Sequence, residues 1–162
     1  MTSIIPGLRI SRDRWKFGRV SKFSIAATSV ISITSCATLI AFQYFDNPDL
    51  SGYTGVVPLN TLGGVIVSGT IFSLLNALIE ELLFRGLLLD GIESQWGIVP
   101  AVFATSIMFG LGHMRGYPPD IIGISLAAIY GLALAWLRVT TGGLGQPVLA
   151  HIVADATIFT II

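Results

Sequence analysis

Apolar residues run without a charge from Phe23 to Phe45, and at 1.5 Å per residue that run is long enough to cross about 30 Å of hydrocarbon. It predicts a first transmembrane helix. Residues 46–60, DNPDLSGYTGVVPLN, are rich in Asp, Asn, Pro and Gly and predict an external loop. A second apolar helix is expected over Leu62 to Leu89, followed by a turn in DGIESQWG at 90–97. A third runs from Ile98 to His113 and stops at RGYPP, 115–119, where the prolines disfavour helix. The fourth covers Asp120 to Leu137, TTGGLGQP at 140–147 loosens the backbone, and the fifth covers Gln146 to Ile162. The pattern is therefore all-α, a polytopic bundle of about five transmembrane helices. It divides into an amino-terminal arm (1–22), a first helix (23–45) and a four-helix core (62–162). Within the fourth helix Gly123, Ala127, Gly131 and Ala135 form a stripe of small residues, read as a packing surface.

Composition agrees: 53% of residues are hydrophobic, 11% are charged and the mean hydropathy is +0.81, values that describe an integral, multi-pass membrane protein. Arg9, Arg12, Arg14, Lys16, Arg19 and Lys22 all precede the first helix, which places the amino terminus in the cytoplasm. Five spans then put Arg138 inside, and Arg115 and the carboxyl terminus outside. With zero net charge overall, no nucleic-acid partner is indicated, and the basic arm suits anionic membrane lipid. Cys36 is the single cysteine, so no intramolecular disulfide forms. The stretch ITSC, 33–36, is shaped like a lipoprotein processing site. It continues as ATLIAFQYF, however, and reads as the middle of a span.

Against this background ALIEELLFRGLLL, 77–89, stands out, because each ionisable group at mid-membrane costs about 2.5–3.5 kcal/mol and usually faces a protein interior or a wet cavity. Glu81 and Arg85 are four residues apart and pair on one helical face, while Glu80 points elsewhere and is left without a partner. A structural pair plus a glutamate reaching for headgroups would explain the motif alone; an unpaired carboxylate in apolar surroundings is also a general-base candidate. The only two histidines fall in apolar spans too. His113 follows Phe109 by one turn, and His151 precedes Asp155 by one turn. Measured from turns centred near residues 94 and 141, Glu80 and Asp155 come out level at about 21 Å, His113 at about 28 Å and His151 at about 15 Å. Convergence therefore demands tilt or a broken turn near GGLG.

Three ordered motifs, Glu-Glu-x-x-x-Arg (Glu80, Glu81, Arg85), Phe-x-x-x-His (Phe109, His113) and His-x-x-x-Asn/Asp (His151, Asp155), make the chain resemble the CPBP family of intramembrane proteases, also called Abi, which processes CAAX termini and bacteriocins. The resemblance covers residues 62 to 162. It implies a glutamate-type endopeptidase of the membrane, needing no cofactor, that cuts a membrane-associated peptide or protein. Carried onto these positions, Glu80 and His113 activate water, and His151 and Asp155 stabilise the oxyanion. Glu81 and Arg85 support the site, and Phe109 packs beneath His113. Asp155 stands where the family often has Asn, and an ionised Asp cannot donate to an oxyanion. The expected setting is a prokaryotic cell membrane, and so small a scaffold is compatible with a homo-oligomer.

Two rivals stand beside this reading. Two histidines and a carboxylate are also a zinc-hydrolase ligand set, although no His-Glu-x-x-His helix is present. Intramembrane Glu, His and Asp also build proton relays, or sit in immunity proteins that bind without cutting.

Overall fold

The computed structural model describes residues 16–51 and 61–162. Arg9, Arg12 and Arg14 of the basic arm, and residues 52–60 of the expected external loop, lie outside the described residues. Five helices and no strand are found among the described residues: α1 (Lys22–Asp46), α2 (Leu62–Trp96), α3 (Ile98–Gly112), α4 (Asp120–Thr141) and α5 (Gly145–Ile161). The all-α architecture is as expected. Of the five, α1, α2 and α4 are long and apolar enough to span a membrane. By contrast α3 has 15 residues and α5 has 17, about 22 and 26 Å of helix. Large apolar side chains such as Ile33, Ile79 and Ile121 cover the outer surface, as contact with acyl chains requires.

Local chemistry sets the ends. Ser21 and Ser24 form a reciprocal capping box that starts α1, and Asn47 closes it in the left-handed conformation (φ 42°). The expected turn at 90–97 is instead the last stretch of α2. Gly91 weakens a helix by about 1 kcal/mol, but packing overrides it: Leu89 buries against Ala101 and Ala135, with Ile92 and Val102 beside them. The chain turns only at Gly97, whose φ of 85° and ψ of 173° suit glycine alone. Likewise α4 continues past Leu137 to Thr141, because Arg138 is buried in a polar contact with Asp90 (3.4 Å) instead of reaching for water.

The segment before α1 docks on the α4–α5 turn. Leu144 N donates to Lys16 O (2.9 Å), Gly145 N donates to Phe17 O (2.9 Å), and Arg19 N donates to Thr141 O (2.8 Å). Two free amides at the start of α5 are thereby satisfied by the arm. On its flank α1 rests against α5 through Thr28–Gln146 (2.6 Å) and Cys36–Thr157 (3.0 Å).

The small-residue stripe of α4 does more than pack helices. Ala135 is buried in the core and Gly131 lends its carbonyl to Arg85 (3.1 Å), whereas Ala127 lines a cavity between α1 and α4. At Gly123 a Cβ would lie 1.7 Å from the Pro118 carbonyl oxygen. Gly123→Ala should therefore displace the 113–119 loop and lower the melting temperature in detergent, by an overpacking cost of about 1–3 kcal/mol.

Candidate active site

Residues Leu82–Leu88 of α2 are wound as a π-helix, a local widening that carries Arg85 toward the core. Its Nη1 donates to Glu81 Oε1 at 2.6 Å, and both side chains are fully buried. Its guanidinium also lies over the Phe109 ring, 4.3 Å from the centroid, a stacking that suits arginine better than lysine. Glu81 Oε1 accepts a second hydrogen bond, from His151 Nδ1 at 2.8 Å. The glutamate thus links a cation on its own helix to an imidazole on α5.

Glu80, one residue earlier, points away from that pair. Its Oε2 has no hydrogen-bond partner and stands 3.7 Å from His113 Nε2 and 3.6 Å from His151 Nε2. The Glu80 and His113 side chains are 24% and 26% exposed, whereas His151 is 3% exposed. His113 caps α3, stacks 4.3 Å from Phe109, and its Nδ1 lies 2.7 Å from Phe109 O. A carbonyl only accepts, so the proton sits on Nδ1 and Nε2 is turned to Glu80. Asp155 Oδ1 is 3.6 Å from His151 Nε2, and its Oδ2 accepts from Asn76 Nδ2 at 3.1 Å.

All seven residues singled out in the sequence therefore lie in one cluster. The depth estimate misplaced the histidines because it set both turns on a common baseline. Counted from Gly97, Glu80 and His113 are level, at about 25 and 24 Å. The α4–α5 turn lies further up the bundle, because Arg138 of α4 contacts Asp90, well before the end of α2.

Four contributors escaped the sequence reading. Asn76 is one turn before Glu80, and its polarity within an apolar helix was a usable signal. Arg138 Nε donates to Arg85 O (3.2 Å), a carbonyl in the π-helical turn, which nothing local in the sequence announces. Tyr130 packs edge-on to His151 (5.9 Å between centroids) and keeps a buried hydroxyl with no hydrogen-bond partner. Gly131 contributes backbone only. Among the described residues, no group of three His, Cys, Asp or Glu side chains is arranged to hold a metal.

A helical chain with membrane-spanning segments and carboxylates, imidazoles and a guanidinium gathered inside it is an integral membrane protein with its ionisable groups at the centre. The chain belongs to the Rce1-like family: the family model described as type II CAAX prenyl endopeptidase Rce1-like matches residues 61–157. Membership implies a peptidase whose substrate is a peptide or protein in the membrane. No curated protein and no solved structure matches the chain.

Proposed function

We propose that this protein is a glutamate-dependent intramembrane endopeptidase of the CAAX-processing type. The observation that carries the reading is the Glu80 carboxylate, whose Oε2 makes no hydrogen bond and stands 3.6–3.7 Å from both imidazoles of the molecule. The attacking water binds between these groups once the side chains part to admit it. Glu80 takes the water proton as the hydroxide attacks the scissile carbonyl, and the proton then passes to the leaving amine. His113, fixed by Phe109, holds the water from the other side through Nε2.

His151 is oriented by Glu81 through Nδ1 and, as an imidazolium with both ring nitrogens protonated, donates from Nε2 to the developing oxyanion. Stabilisation of this kind usually contributes most to such a reaction. Asp155 contributes to it as a hydrogen-bond donor, which requires a proton on Oδ1 while Asn76 engages Oδ2. Asp155→Asn should therefore retain cleavage, whereas Asp155→Ala should lower kcat by about 10²-fold. Equal loss in both variants would assign Asp155 to the orientation of His151 instead.

The cytoplasmic placement of the amino terminus is supported by the charge at that end: Lys16, Arg19 and Lys22 gather where residues 16–19 dock on the α4–α5 turn. Anionic headgroups are the partner this cluster suits.

The test is cleavage of a farnesylated CAAX reporter peptide by purified protein in phosphatidylcholine vesicles. Cleavage should persist in the presence of 1,10-phenanthroline. Activity lost to the chelator and restored by zinc would favour the zinc hydrolase instead.

A further inference from the structure

Granting the peptidase reading above, we propose that α1 and α4 frame a side window through which the apolar stretch of a membrane-borne substrate reaches His113 and His151 beside Glu80, and that α1 sets its specificity. A cavity of about 260 Å³ lies between the two helices, with His113, His151 and Asp155 at its back. Its α1 wall is a single helical face: Val30, Ile31, Thr34, Ser35, Thr38 and Leu39 recur at the four-residue spacing that aligns side chains. Leu126, Ala127, Ile129, Tyr130 and Ala133 form the opposite wall on α4. At the rim, Val30 is 62% exposed and Ile129 is 66% exposed, so apolar side chains meet the bilayer there.

Two aromatic contacts bound the window. Phe23 meets Trp136 edge-on at 5.9 Å. At the other end Phe42 meets Tyr117 at 5.7 Å, and Tyr117 donates to Gln43 at 2.7 Å. Between Phe23 and Phe42 lie about 28 Å of helix. The α1–α5 hydrogen bonds at Thr28 and Cys36 hold the helix upright from the flank and leave its α4-facing side to the cavity.

The lining chemistry suits a peptide chain as well as its side chains. A scissile bond must be unwound before water attacks it, and its freed N–H and C=O groups have no partner in hydrocarbon. Thr34, Ser35 and Thr38 place hydroxyls on an otherwise apolar wall of the cavity that His113, His151 and Asp155 also line. Ser35 already donates to Ser32 O (2.9 Å), which leaves its oxygen as an acceptor. The family match begins at residue 61, so this wall is supplied by a helix outside the matched core.

Kinetics on the farnesylated reporter in phosphatidylcholine vesicles test the window. Thr34→Trp fills the cavity and should raise KM by about tenfold or more, the scale of a misfit in an apolar pocket. Ile33→Trp, on the neighbouring lipid-facing position, should leave KM unchanged. In a Cys36→Ser background, Val30→Cys and Ile129→Cys bridged by a reducible bis-maleimide should lose at least nine-tenths of cleavage and regain it on reduction. Full activity in the bridged protein, or equal KM for both Trp variants, overturns the window; if Glu80→Gln is inactive in the same assay, the catalytic reading still stands. Glu80→Gln cleaving like the unaltered protein overturns the catalytic reading. A reporter left whole by the unaltered protein overturns both.

Discussion

Glu80→Gln abolishes cleavage and leaves the bundle folded: that is the expected result with the largest catalytic effect. Gln has the shape of Glu and lacks only the basic oxygen. Because Oε2 has no hydrogen-bond partner, the change breaks no hydrogen bond there. Loss of a general base costs about 10²–10⁴-fold in rate. His113→Ala should fall by a similar factor, and the double variant should be no worse than either single one, because groups that handle the same proton are not additive. The measurement is reporter cleavage in vesicles, with thermal unfolding and membrane insertion checked in parallel. Full activity in either single variant would end the assigned mechanism. A protein that merely binds a partner should tolerate Glu80→Gln.

The second large effect is on stability. Arg85→Met strips Glu81 of its cation and leaves a carboxylate buried at 0% exposure with His151 Nδ1 still beside it. Breaking a buried pair from one side costs about 3–5 kcal/mol. The guanidinium also serves Gly131 O and the Phe109 face, so the loss belongs at the upper end. Glu81→Gln combined with Arg85→Met should recover part of it, since the buried carboxylate is removed along with its cation. Thermal unfolding in detergent micelles reads both. A double variant as unstable as Arg85→Met alone would show that the damage lies in packing and not in the stranded charge.

How much of this was legible in the sequence differs by element. The first helix was, almost to the residue, because an uncharged run bounded by Lys22 and Asp46 leaves a membrane chain little choice. The Glu81–Arg85 pair was legible too, since a four-residue spacing fixes its geometry before any other helix arrives. The end of α2 was not. DGIESQWG looks like a turn because Asp, Gly, Glu and Ser are its residues, yet Leu89 and Ile92 bury against α3 while Asp90 meets Arg138.

The sequence by itself determined that the chain is helical, built for a membrane, and supplied with more ionisable groups than apolar helices tolerate without a use. Periodicity and charge cost act within a single helix, so a single chain pattern carries them. Only the tertiary structure decided that Glu80 faces both histidines, that Glu81 joins Arg85 to His151, and that Asn76 reaches Asp155. It also decided that Arg138 meets a carbonyl of the π-helical turn. These are contacts between helices set by where Gly97 turns the chain and by how far up the bundle α5 begins. Neither is encoded in the spacing of any one motif.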